Sequence, residues 1–186
     1  MLVSFRRRHA LAAMSRQKTD CSHDASRDSH DLDGRADHGG RCSVKVRTVP
    51  PRLLFVCVEN SNRSQMAEAF ARMHGGDAVE VYSAGSQPSG KVNLRAIDAM
   101  RERGYDLTAH RSKSLNEIPA VEYEHVVTMG CGDACPWIAA RHREDWDLPD
   151  PKNLSAPEVA RVRDEIERRV VDLLQRVRSE SERSSR

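Results

Sequence analysis

The sequence is poor in aromatic side chains, with two tryptophans, three tyrosines and three phenylalanines in 186 residues. It also has no apolar run near the roughly 18 to 20 residues that a membrane helix needs, which excludes a spanning helix and sets aside a membrane partner. Charge of one sign is equally scarce. The formal net charge is +2, too small a balance for nucleic acid to be an expected partner. The first 50 residues carry 10 Lys+Arg against 6 Asp, the remainder 20 against 22 Asp+Glu. Cysteine is sparse and odd in number: Cys21, Cys42, Cys57, Cys131 and Cys135. A chain this long does not need disulfide staples, so free or redox-active thiols in a reducing, cytoplasmic setting are expected.

Residues 1–50 show no sustained period of 2 or 3.6, and residues 20–41 are dominated by Asp, Ser, His, Gly and Arg, so this stretch is expected to be a disordered extension. Arg6-Arg7-Arg8 precede an apolar stretch, residues 10–14, that is too short for the core of an export signal. His23, His30 and His38 lack the fixed geometry that a metal site requires. The C-x3-C pair Cys131 and Cys135 has poor zinc spacing even with His125 or His142 added. No metal and no bound cofactor is expected.

The texture changes after Pro51. Leu53-Leu54-Phe55-Val56 is a short apolar run bounded by prolines and a polar loop, the pattern of a strand buried on both faces. Met66, Phe70 and Met73 follow at helical spacing, with Gly75-Gly76 as a stop. Val79 to Tyr82 reads as a second strand. Leu94, Ile97 and Met100 mark a second helix ending by Gly104, and His125 to Met129 a third strand. Ser155-Ala156-Pro157-Glu158 opens a last helix whose apolar stripe runs through Val159, Val162, Ile166, Val170 and Val177. Trp137 and Trp146 are expected to pack near the active edge. Alternating strands and helices imply one α/β domain over residues 51–178 with a parallel sheet, followed by a disordered tail, residues 179–186. In such folds reactive groups gather at the carboxyl ends of strands.

That rule points to Cys57-Val58-Glu59-Asn60-Ser61-Asn62-Arg63-Ser64, a C-x5-R-S pattern between the first strand and the first helix. The pattern alone is weak, because Cys21 to Arg27 and Cys135 to Arg141 also match C-x5-R. Only Cys57 has a buried strand before it and an amphipathic helix after it. A short loop entering a helix turns backbone N–H groups toward an anion, and the helix terminus adds partial positive charge. Arg63 supplies a planar fork for two oxygens of a tetrahedral oxyanion. The same field favours a thiolate, which makes Cys57 the candidate nucleophile. Ser64 is positioned to donate to it, and Asn60, Ser61 and Asn62 to hold the loop's shape. Glu59 is discordant, since a carboxylate repels a dianion, and its side chain is expected to point outward.

The stretches LLFVCVENSNRSQMAEA (residues 53–69), YSAG (82–85), TMGCGD (128–133) and DLPDP (147–151) resemble the low-molecular-weight protein tyrosine phosphatase superfamily, and within it are most similar to the arsenate reductases. The resemblance implies a single four-stranded parallel sheet flanked by helices on both faces. It also implies Cys57 as nucleophile, residues 58–63 as the oxyanion cradle, and Asp150 as proton donor. Gln65-Met66 resembles the reductases, where the phosphatases usually have Pro-Ile, and Lys152-Asn153 stand where phosphatases tend to carry Tyr.

The reaction so implied is reduction of arsenate to arsenite. Cys131 attacks the Cys57 adduct, and Cys135 passes the disulfide to thioredoxin. The spacing of Cys131 and Cys135 is shorter than in thioredoxin-coupled relatives. Cβ atoms at i and i+4 of a helix lie about 5 to 6 Å apart, too far for a disulfide, so that segment must be a loop. The alternative reductant is a low-molecular-weight thiol with a glutaredoxin-like partner. Two other functions stay open: a phosphatase acting on phosphotyrosine or small phosphate monoesters, and a non-catalytic anion- or redox-sensing protein.

Overall fold

The computed structural model describes residues 49–130 and 137–184, all within one unit, Val46–Arg186. Apart from Val49 and Pro50, the expected N-terminal extension lies outside them, as do Cys131 and Cys135.

Four strands, β1 (Arg52–Cys57), β2 (Glu80–Gly85), β3 (Tyr123–Met129) and β4 (Ala140–Asp145), form a sheet of order β2-β1-β3-β4. Every neighbouring pair is parallel. Among the described residues three helices, α1 (Arg63–Gly75), α2 (Leu94–Arg101) and α3 (Ala156–Ser184), follow β1, β2 and β4. Central β1 is buried on both faces. Leu53, Phe55 and Cys57 join Val81, Val127 and Met129 in a core with Phe70 of α1, Met100 of α2, and Ile166 and Val170 of α3. Leu54 and Val56 face the other way, onto Ala84 and Val126. Among the described residues that second face is covered by Leu115 of the 3-10 turn Leu115–Glu117, with Ile118, Val121 and Ile138. Truncating a core side chain such as Phe55 removes ~3 to 5 kcal/mol.

In register, Cys57 aligns with Gly85 on one side and Met129 on the other. Connections leave β1 toward β2 and β3 toward β4, in opposite directions, and the crevice between such connections is where α/β sheets bind ligands. α1 ends where the sequence stops it: Gly76 adopts φ 51° and its N–H bonds to the Arg72 carbonyl.

The structure adds to these expectations in three places. β4 was not legible from the residues, because ARHRED is almost wholly charged and forms an exposed edge strand. Residue 178 falls inside α3 rather than at its end. α3 continues to Ser184, with the Ser181 hydroxyl donating to the Val177 carbonyl and Glu180 reaching His125 of β3. Trp146 packs on Phe55, with ring centroids 6.0 Å apart, but Trp137 is 80% exposed, with Arg143 over its ring.

Candidate active site

The Cys57 side chain is buried at the end of β1, and residues 58–62 turn the chain into α1. The loop is fixed by its carbonyls. Those of Cys57, Val58, Glu59 and Ser61 accept from the N–H groups of Ser86, Gln87, Ser89 and Asn93, and that of Asn62 from Met66 N–H. The Asn60 carbonyl accepts from Gln65 Nε2 at 3.1 Å, and Glu59 O also from Ser112 Oγ at 2.8 Å. There are no cis peptides among the described residues, and in a trans peptide the N–H points opposite to the carbonyl it follows. Six outward carbonyls therefore direct the amides of residues 58–63 inward. Asn62 precedes α1 without a side-chain cap, which leaves the helix terminus for an anion.

Asn60 organises this turn. Its φ of 48° is left-handed, a conformation that Asn tolerates better than most residues. Its Nδ2 donates to Ser64 Oγ (2.8 Å) and Ser83 Oγ (2.9 Å). Its Oδ1 accepts from Gln65 Nε2 (2.9 Å) and Lys113 N–H (2.8 Å). Both Nδ2 hydrogens and both Oδ1 lone pairs are thus engaged, on three separate segments: α1, β2 and the loop at Lys113. Ser64 Oγ in turn lies 3.0 Å from Cys57 Sγ. Behind it, Ser83 Oγ donates to the fully buried Glu68 carboxylate, which also binds Lys113 Nζ at 3.1 Å and Arg72.

A pocket of about 100 Å³ is lined by Cys57, Val58, Glu59, Ser61, Asn62, Arg63 and Asp150. Arg63 is buried; one Nη donates to the Leu148 carbonyl at 2.9 Å, and the other lies 3.9 Å from Asp150 Oδ2. Asp150 is largely exposed, and its other oxygen accepts from Lys152 N–H at 3.1 Å. Asp150 therefore comes to the Cys57 pocket from 93 residues along the chain. Glu59 does not simply point away. It sits on the rim, with Lys152 Nζ 2.6 Å from one carboxylate oxygen and Ser61 Oγ 3.1 Å from the other. The Lys152 hydrogen bond holds its carboxyl below the usual range, against the opposing effect of partial burial.

Several contributors escaped the sequence reading. Gly85 and Gly130 are needed for close approach. A Cβ on Gly85 would lie 2.7 Å from the Val58 carbonyl oxygen, and one on Gly130 would lie 2.6 Å from Arg63 Nη1. His110 places Nδ1 2.9 Å from Gln65 Oε1 and so braces the residue that holds Asn60. The signal was present in YSAG and TMGCGD, where Gly85 ends β2 and Gly130 follows β3 at the sheet's carboxyl edge.

Residues 52–183 match the family described as low molecular weight phosphotyrosine protein phosphatase. Arsenate reductase 1 of Staphylococcus epidermidis is 40% identical over 129 residues, covering 67% of this chain and 96% of that protein. The glutaredoxin arsenate reductase of Synechocystis sp. is 36% identical, covering 68% and 98%. Among solved structures, an arsenate reductase in the phosphate binding state superposes with a TM-score of 0.64 at 35% identity, over 68% of this chain and 98% of that one. A thioredoxin-dependent arsenate reductase of Corynebacterium glutamicum gives 0.60 at 31% identity, over 73% and 66%. The turn from β1 into α1, with its outward carbonyls, and this likeness agree, and the chain belongs to the low molecular weight phosphotyrosine protein phosphatase family.

Proposed function

We propose that this protein reduces arsenate to arsenite, with Cys57 as nucleophile. The observation that carries the reading is the convergence of Cys57, Arg63, Asp150 and the inward amides on one small pocket, in a chain similar to arsenate reductases in both sequence and structure. The pocket has room for a tetrahedral oxyanion and little more. The Lys152–Glu59 pair across its rim favours an inorganic anion over an aryl phosphate ester.

In the first step the Cys57 thiolate attacks arsenic, and one oxygen departs as water after taking a proton from Asp150. Ser64 stabilises the sulfur anion, while Arg63 and the amides of residues 58–63 hold the remaining oxygens. In the second step another thiolate attacks Cys57 Sγ. The S–As bond breaks with its electron pair on arsenic, which leaves as arsenite, and a disulfide remains. The two thiol sulfurs supply the two electrons. Cys131 is our candidate for that thiol: it lies outside the described residues, but it follows Gly130, whose Cα hydrogen faces Arg63. Cys135 then receives the disulfide for thioredoxin. If it does not, a low-molecular-weight thiol attacks the adduct and a glutaredoxin-like protein completes the cycle. Either route needs a reducing compartment, which we assign as the cytoplasm. Among the described residues no helix is long and apolar enough to cross a membrane.

The test is arsenite production by the full chain, supplied separately with a thioredoxin system and with a small-thiol and glutaredoxin system, beside phosphate-ester hydrolysis. Arsenite formation abolished by Cys57→Ser supports the reading, and the productive arm names the reductant. Cys131→Ser should abolish the thioredoxin arm. Ester hydrolysis without arsenite would overturn the proposal in favour of a phosphatase.

A further inference from the structure

At the opposite end of the sheet from Cys57, β3 and β4 pair in register at His125 and His142. Residues paired in this way on parallel strands project from the same face, and the two imidazoles stack with centroids 4.7 Å apart. That face carries α3. Its apolar stripe ends at Val177, and Glu180, one turn further on, reaches His125 Nε2 at 3.3 Å. One ligand atom from each of His125, His142 and Glu180 lies within 4.8 Å of the others.

We infer that His125, His142 and Glu180 form a binding site for a divalent transition-metal cation of the zinc class, separate from the oxyanion pocket. Two imidazoles and one carboxylate suit zinc and its neighbours rather than magnesium or calcium, which prefer all-oxygen sets. Zinc binds such atoms at about 2.0 to 2.2 Å, so its tetrahedral ligand atoms stand roughly 3.4 Å apart. The three groups must close inward by little over about 1 Å. His142 is exposed and Glu180 half-exposed, so both can make that adjustment by side-chain rotation, while His125 is buried and fixed.

The surroundings suit a ligating histidine. His125 Nδ1 is buried without a hydrogen-bond partner, 3.8 Å from a Glu144 carboxylate oxygen. Glu144 is itself held by Arg176 at 2.8 Å and by Trp146 Nε1 at 3.1 Å. A carboxylate behind the far ring nitrogen is the usual means of orienting a metal-bound imidazole. A groove of about 640 Å³, lined in part by His142, Glu180, Glu122 and Glu124, gives the ion and its remaining water ligands access from solvent. Bound there, the cation ties the last turns of α3 to β3 and β4. Nothing in the sequence announces the site, because its ligands come from three separate elements.

The test is titration of the full chain with Zn²⁺ by calorimetry, together with thermal melts, for wild type, His142→Ala and Glu180→Gln. Thiols and tail histidines are common to all three proteins, so their binding cancels in the comparison. Wild type should take up one equivalent more than either variant, or bind that equivalent at least about 100-fold more tightly. Zn²⁺ should raise its melting midpoint more than theirs. Arsenate reduction in chelator-treated buffer should match in all three, which shows that the variants fold. Equal stoichiometry and affinity in all three proteins, or a loss in only one variant, would overturn the three-ligand site.

Discussion

Lys152 and Glu59, 93 positions apart in the chain, meet at 2.6 Å on the rim of the Cys57 pocket. A carboxylate that would otherwise repel a dianion is thereby neutralised by a cation from the turn that carries Asp150. Lys152→Ala should raise KM for arsenate about tenfold with a smaller effect on kcat, and added salt should shrink the difference. Glu59→Gln in that background should restore most of the loss. Steady-state kinetics of the double-mutant cycle measure this coupling. Because the Glu59 carboxyl is held below its ordinary value, the pair's contribution to stability is full above that value, about 4.5, and is lost as pH falls through the folded-state pKa.

Asn60→Ala removes four hydrogen bonds from a left-handed position. The expected cost is ~2 to 4 kcal/mol in urea unfolding, with kcat/KM for arsenate lower by at least about 100-fold. Asn60→Gly keeps the backbone conformation without the side-chain bonds, so its stability should fall between the two. If all three proteins were equally active, Asn60 would not be the organiser of the cradle.

Gly85→Ala forces a methyl group against the Val58 carbonyl, and Gly130→Ala drives one into Arg63. The first should loosen the amide cradle, and the second should displace the guanidinium. Competitive inhibition by phosphate should weaken at least about tenfold in each, equivalent to roughly 1.4 kcal/mol. Unchanged inhibition constants would mean that the loop relaxes around the methyl groups.

Burial pushes the His110 pKa below its ordinary value, with Glu68 opposing and Arg72 and Lys113 reinforcing the shift. The folded protein therefore favours neutral His110, whose Nδ1 meets Gln65 and whose Nε2 faces the Tyr105 hydroxyl at 3.1 Å. Its neutral form costs nothing above the unfolded value of about 6.5. Stability should decline as pH falls through that value toward the folded-state pKa. Urea unfolding of wild type and His110→Asn across that window should show a shallower slope for the variant.

Much of this was legible locally. The apolar run of β1, the stop at Gly76 and the stripe of α3 each follow from residues within a few positions of one another. Cys57, Arg63 and Ser64 were legible as a unit because one strand-to-helix turn supplies all three. What could not be read depends on distance along the chain. β4 is a strand because β3 offers it an edge, and its charged residues carry no apolar alternation. Gln65 was visible only as a mark of resemblance, yet its amide bridges Asn60, the Arg111 carbonyl and His110. Lys152 was noted for replacing a tyrosine, but its partner Glu59 lies beyond any local spacing rule.

The outward anchoring of six consecutive carbonyls has a bearing on product release. A loop already tethered to the segment between β2 and α2 and to α1 does not need to reorganise when a dianion arrives, so its amides and Arg63 present a fixed positive field. Arsenite is uncharged near neutral pH. In the proposed mechanism, once the S–As bond breaks, the field that held the substrate has no charge to act on, and the same rigidity that favours capture leaves the product free to depart.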